Sequence, residues 1–284
     1  MAKIIHDPAE MQRTSEVARK EGKRIGVVPT MGCLHEGHLS LVRAARRRTD
    51  FVITTIFVNP TQFGPAEDLN RYPRDIERDT SLAMGAGTDC IFAPEMRDVY
   101  PEGYSTFVQV ERLGEALEGR SRPGHFRGVA TIVAKLLNIT KPHVAVFGQK
   151  DAQQVVIISR MLHDLNFGVE LMVMPTVREP DGLAMSSRNS YLTPAQRREA
   201  PVLYQSLQLA ERLIASGETS SATVLGAMKE LIMNHSSGVV DYVSIADGVT
   251  LEELLECKVH RPILVSLAVR FGSTRLIDNI TITL

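Results

Sequence analysis

Apolar positions along this chain fall into short unbroken runs, separated by stretches in which they recur every three or four residues. "RIGVVPT" (24–30) and "FVITTIFVNP" (51–60) are continuous rather than alternating, the pattern of a strand covered on both faces. Between them "HLSLVRAARRR" has helical spacing, so the three segments predict a β-α-β unit. Upstream, Asp7 and Pro8 in "HDPAE" are placed to cap and open a helix that Gly22 stops. Downstream, the helix "RDIERDTSLAMGAG" precedes the strand "CIFAP", "GVATIVAKLLNIT" leads to "HVAVFGQ", and "DAQQVVIISRMLHDLN" leads to "VELMVMPTV". Strands alternating with helices predict an α/β class, a Rossmann-like doubly wound parallel sheet over residues 1–175. From residue 176 the texture changes: the loop "REPDGLAMSSRNSYLTP", two long helices at about 194–216 and 221–236, then the strands "VVDYVSIA" and "PILVSLAVRF". A smaller C-terminal α+β domain over 176–284 is expected.

Length agrees with that division, since 284 residues exceed what one compact core usually needs. Apolar residues at 44% and charged residues at 23% suit a folded enzyme rather than a disordered chain. A formal net charge of −1 argues against a nucleic-acid groove or a membrane surface as the main partner and for a small ligand. Arg43, Arg46, Arg47 and Arg48 form one basic run, at the end of a predicted helix where cations complement the dipole. Cys33, Cys90 and Cys257 are too few and too scattered for a disulfide framework or a zinc site, which points to a reducing cytoplasm. The N-terminal segment has no apolar signal core and no run approaches the roughly 18 apolar residues of a membrane span, so neither export nor anchoring is expected.

In open α/β sheets ligands bind beyond the carboxyl ends of strands, where loops become helix N-termini. "PTMGCLHEGHLSLV" puts His35 and His38 at the first such junction. A helix start offers unpaired N–H groups and partial positive charge to a phosphate, and residues three apart on one turn share a face. Gly32 and Gly37 let backbone approach a ligand. Neither a Walker A sequence nor G-x-G-x-x-G occurs, so a nucleotide would be held in another way. Lys150 and Asp151 in "FGQKDAQQ" follow a strand, the lysine as a mobile cation and the aspartate placed to cap the next helix. Met185, Ser186, Ser187 and Arg188 offer two hydroxyls and a guanidinium that can grip phosphate oxygens. Gln62, after the second strand, and Gln154, one turn beyond Lys150, carry donor and acceptor together and suit a substrate with hydroxyls and a carboxylate.

"HEGH" is similar to the HxGH signature of adenylyl-transferring enzymes that share a nucleotide-binding fold with class I aminoacyl-tRNA synthetases, and "LAMSSRNSYL" resembles a variant of their KMSKS loop. Together with "YPRD" (72–75), "EGRSRPGHFRGV" (118–129) and "VFGQKDAQQ" (146–154), the whole chain resembles the family of ligases that join pantoate to β-alanine. That resemblance implies ATP-dependent condensation through a pantoyl-adenylate, with AMP and pyrophosphate released, in a cytoplasmic homodimer. It implies an ATP site lined by Pro29, Thr30, Met31, Gly32, Cys33 and Leu34, with His35, Glu36, Gly37 and His38 at the helix start. Gly148, Gln149, Lys150 and Asp151, then Val177, then Met185 to Arg188 would complete it. His35, His38, Lys150 and Arg188 would be the catalytic groups, stabilising charge on the phosphates. Gln62 and Gln154 would contact pantoate, with Asn59, Arg122 and His125 walling the pocket. Magnesium would be held mostly by phosphate oxygens, with Asp79 as a protein contact, and residues 176–284 would act as a lid. Two alternatives share parts of the pattern. An adenylyltransferase that stops at nucleotidyl transfer has no need of the paired glutamines, and a non-catalytic nucleotide- or RNA-binding relative fits poorly with near-neutral charge.

Overall fold

The computed structural model describes residues 3–64, 67, 69–257 and 261–283. The chain forms two compact units, Met1–Gly148 with Ile157–Pro175, and Gln149–Val156 with Thr176–Leu284. The elements run β1 (Lys3–Ile5), α1 (Pro8–Lys20), β2 (Ile25–Thr30), α2 (Glu36–Arg48), β3 (Phe51–Ile56), α3 (Ile76–Gly85), β4 (Cys90–Phe92), α4 (Met96–Val99), α5 (Glu118–Ser121), α6 (His125–Thr140), β5 (Val144–Gly148), α7 (Ala152–Asp164) and β6 (Glu170–Met174). All six strands are parallel, in the order β1-β4-β3-β2-β5-β6. The direction of winding reverses between β2 and β5, which makes the carboxyl ends of those two strands the switch point where such sheets bind ligands.

Local chemistry sets the element boundaries. Asp7 Oδ2 accepts from Glu10 N at 2.8 Å and Asp75 Oδ1 accepts from Arg78 N at 3.0 Å, capping α1 and α3. Helix α6 is apolar almost all round and is buried along most of its length, as that composition requires. The middle of the stretch "FVITTIFV" is interior. Val52, Ile53, Thr54 and Thr55 are buried in β3, which lies between β4 and β2, while Phe51 and Ile56 at its ends are partly exposed.

The second unit continues with α8 (Pro194–Glu199), α9 (Val202–Ala215), α10 (Ser221–His235), β7 (Val239–Asp247), β8 (Ile263–Phe271) and β9 (Thr274–Ile282). The single helix expected over 194–216 is two, because Pro201 has no N–H to give the ladder and its ring crowds the preceding turn. Strands β7, β8 and β9 form an antiparallel sheet, and β9 is an addition to the two strands expected there. Leu203, Leu207, Met228, Ile232, Leu267 and Phe271 are central to its core. Among the described residues no helix is long and apolar enough to cross a membrane.

Candidate active site

Strand β2 ends at Thr30, whose hydroxyl donates to Thr55 O at 2.6 Å and accepts from Gly32 N at 3.3 Å. The chain then turns through two left-handed residues, Gly32 (φ 84°) and Cys33 (φ 52°). Asp79, buried in the first turn of α3, holds this turn. Its Oδ2 accepts from Cys33 N at 2.6 Å and its Oδ1 from Leu34 N at 2.7 Å. Gly32 is required on two counts, since a β-carbon there would be strained by φ and would stand 2.9 Å from Asp79 Oδ2. Burial, and then the Asp79 carboxylate, push the Cys33 thiol up from its ordinary range, so this cysteine is no ready nucleophile.

Two residues later His35 is the N-cap of α2 and His38 is its third residue. They cap the helix reciprocally. His35 Nδ1 accepts from Gly37 N at 3.2 Å, and His38 Nδ1 accepts from His35 N at 3.3 Å, with ring centroids 4.1 Å apart. An Nδ1 that accepts leaves the proton on Nε2, so the capping geometry assigns both neutral rings the tautomer that donates from Nε2. The helix start thus adds two imidazole N–H donors to its backbone donors, a set that suits an anion.

A second cluster in the same unit surrounds the 3-10 turn Pro60–Gln62. Asn59, 1% exposed, donates from Nδ2 to Gln62 Oε1 at 3.0 Å and to Gly128 O at 3.1 Å, while its Oδ1 accepts from Thr61 Oγ1 and Tyr100 Oη. Gln62 Nε2 donates to Met31 Sδ at 3.2 Å, which joins this turn to the histidine loop. Arg122 makes a bidentate fork on Glu67, both contacts 2.7 Å, and its NH2 also reaches Gln62 O at 3.3 Å. His125 Nδ1 donates to Gln62 O at 2.7 Å, and its Nε2 accepts from Arg122 at 3.0 Å. Arg122 and His125, expected as pocket walls, therefore grip the backbone of the turn that presents Gln62.

Burial, and then the neighbouring Arg122 charge, lower the His125 pKa from 6.5 to about 4. A histidine neutral in the fold but protonated near pH 6.5 when unfolded stabilises the protein fully above that pH, and the contribution drains as pH falls from 6.5 towards 4. Against His125→Asn, which keeps a donor for Gln62 O without titrating, wild-type stability should fall by about 3 kcal/mol over that range. Denaturant unfolding at several pH values measures it, and a pH-independent difference between the two proteins would contradict it.

The second unit has its own constellation. Gln149–Asp151 form a 3-10 turn directly before α7, with Lys150 Nζ 3.7 Å from Asp151 Oδ1. Asn279 of β9 donates from Nδ2 to Gln149 O at 3.1 Å and to Lys150 O at 2.8 Å. This clamp accounts for residues 149–156 belonging with the second unit rather than with the sheet they leave. Val177 O accepts from Met185 N at 3.0 Å, closing a hairpin that delivers Ser186, Ser187 and Arg188 into a further 3-10 turn. Ser186 Oγ caps it by accepting from Arg188 N at 3.3 Å. Gln154 stands half-buried on the first turn of α7.

A family model described as pantoate-beta-alanine ligase matches residues 3–281. The chain belongs to the pantoate-β-alanine ligase family. It is 52% identical over 280 residues to the pantothenate synthetase of Acetivibrio thermocellus, covering 99% of each chain. The crystal structure of pantothenate synthetase from Thermus thermophilus superposes with a TM-score of 0.90 at 46% identity, covering 98% of each chain. The Francisella tularensis ligase, solved in complex with beta-gamma ATP and β-alanine, gives 0.79 at 33% identity, over 99% of this chain and 97% of that one. This ligase condenses pantoate with β-alanine in an ATP-dependent reaction that forms an amide bond.

His35 and His38 lie at the start of α2, Lys150 in the turn before α7, and Ser186 to Arg188 in the turn after the Val177–Met185 hairpin. Asp79, expected as a magnesium contact, has both carboxylate oxygens committed to the histidine loop's backbone. Among the described residues no group of three or more His, Cys, Asp or Glu is arranged to hold a metal ion, so a magnesium ion would depend on substrate phosphates for most of its ligands. Tyr100 and Asn279 are further supports that no local motif marks, and Gly128, within "EGRSRPGHFRGV", is another.

Proposed function

We propose that the ligase forms its amide in two steps, with His35, His38, Lys150 and Arg188 as its charge-stabilising groups. In the first step a pantoate carboxylate oxygen attacks the α-phosphorus of ATP, and the bond to the bridging oxygen breaks to release pyrophosphate. In the second the amine of β-alanine attacks the acyl carbon, the bond to AMP breaks, and the amine surrenders a proton as the amide forms. The reciprocal capping of His35 and His38 carries this reading, because it makes Nε2 the donor nitrogen of both rings at a helix N-terminus, where negative charge on phosphate oxygens is stabilised without any proton transfer. Lys150 and Arg188 compensate pyrophosphate charge, Gln62 and Gln154 hold pantoate, and Asn59, Arg122 and His125 hold Gln62. Magnesium would be held mostly by the phosphate oxygens of ATP and would offset their charge. The three cysteines are free thiols, two of them buried, which suits a cytoplasmic enzyme, and the homodimer of the family is carried over with them.

The order of product release tests the route. With ATP and pantoate alone, pyrophosphate is expected in an amount matching the enzyme, with AMP appearing only when β-alanine is added. Pyrophosphate release that itself requires β-alanine would replace the two-step route with a concerted one.

A further inference from the structure

Lys150 and the Ser-Ser-Arg loop lie nearly forty residues apart in sequence, yet within the second unit both rest on adjacent residues of one strand. Successive side chains of a strand point to opposite faces. On one face of β9, Asn279, 4% exposed, gives both amide protons to the carbonyls of Gln149 and Lys150, and its Oδ1 and Thr281 Oγ1 accept from Gln149 Nε2 at 3.4 and 3.2 Å. On the other, Asp278, 2% exposed, takes a bidentate fork from Arg178 at 2.6 and 3.0 Å. Arg178 also donates to Gly182 O at 3.1 Å, and its guanidinium lies 3.7 Å above the ring of Tyr204. Arg178 pairs with Ala184 across the hairpin that leads into Ser186, and Asn189 Nδ2 ties the following turn back to Ala184 O at 3.1 Å.

A buried amide that spends both protons on two successive carbonyls fixes that turn's backbone, and hence the direction in which Lys150 leaves it. A buried carboxylate that orients a fork does the same for the hairpin. Tertiary context must account for both residues, because Asp and Asn are disfavoured in strand interiors. We propose that Asp278 and Asn279 form a common mount on β9 that sets Lys150 and Arg188 in fixed relation to one another, so that both are positioning residues for adenylation. The proposal rests on the roles given above to Lys150 and Arg188.

Two double-mutant cycles test it, read as the rate of pyrophosphate release with ATP and pantoate, with melting temperatures recorded alongside. Asn279→Ala should lower the rate about tenfold in the wild-type background and less than twofold in Lys150→Ala, since a misdirected lysine matters only while the lysine is present. Asp278→Asn should behave in the same way with Arg188→Ala. Should either mount variant fail to fold, Asn279→Ser and Arg178→Lys enter the same cycles. Equal fold-losses in both backgrounds, or no loss in wild type, in either arm overturn the mount, because a general loss of packing does not depend on whether the cation is there. Near-normal rates in Lys150→Ala and Arg188→Ala themselves would instead overturn the charge-stabilising roles, so the two failures are told apart.

Discussion

Lys150→Ala and His38→Ala are each expected to slow pyrophosphate release from ATP and pantoate by on the order of 10²-fold or more, with the fold intact. A loss of that size is about 2.7 kcal/mol of transition-state stabilisation, what one well-placed donor or cation contributes where charge develops. The side chains are dispensable for folding: Lys150 is held through its backbone carbonyl, and His38 contributes a cap worth about 1 kcal/mol. A third variant separates donation from proton transfer at His38. In Asn–Gln mimicry of imidazole, glutamine sets an N–H donor near the position of Nε2 but cannot deliver a proton. If donation is the role, His38→Gln should recover to within about tenfold of wild type, the remaining deficit reflecting the lost acceptor for His35 N. A glutamine variant as slow as alanine would make His38 an acid, and near-normal turnover in either alanine variant would remove that residue from the phosphate site.

What could be read from the sequence, and what could not, divides along the range of the interactions. The alternation of apolar runs and helical spacing betrays the parallel sheet because strands covered on both faces must be continuously apolar, a property of each segment by itself. His35 and His38 stand out for a similar reason, since a strand-to-helix junction and a three-residue spacing are both local features. Strand β9 was hidden because "TRLIDNITI" places Asp278 and Asn279, two turn formers, in its middle. Their strand conformation follows only from what they hold, the Lys150 turn and Arg178, more than ninety residues away in the chain. Asp79 enters as a magnesium contact only through the family resemblance, since no local pattern marks it. Its engagement with Cys33 N and Leu34 N, 46 and 45 positions distant, is visible only once α3 is folded against the loop. Local propensity failed at these positions because their side chains hold segments distant in sequence rather than their own element.

The second large effect is expected at Gly128, which has no side chain to offer a ligand. On α6 its missing side chain lets the turn carrying Gln62 pack directly on the helix. A β-carbon there would collide with Thr61 O and stand 2.7 Å from Gln62 N, both backbone atoms with no rotamer to escape into. The turn would have to withdraw by about 1 Å, since close contacts of this kind are relieved only at ordinary van der Waals separation. Withdrawal breaks the bond from Asn59 Nδ2 to Gly128 O and misplaces Gln62, whose own carbonyl is pinned by Arg122 and His125. Gly128→Ala should therefore cost about 1 to 3 kcal/mol of stability by overpacking, and a displacement of that size should reduce kcat/KM for pantoate on the order of 10²-fold. Gly226→Ala is the matched control, for in α10 a β-carbon meets open space, and helix propensity should make that change neutral or stabilising by up to about 1 kcal/mol. Thermal unfolding and pantoate kinetics on the two variants decide the matter: a Gly128→Ala enzyme with unchanged pantoate kinetics would mean that the turn, and Gln62 with it, does not bind that substrate.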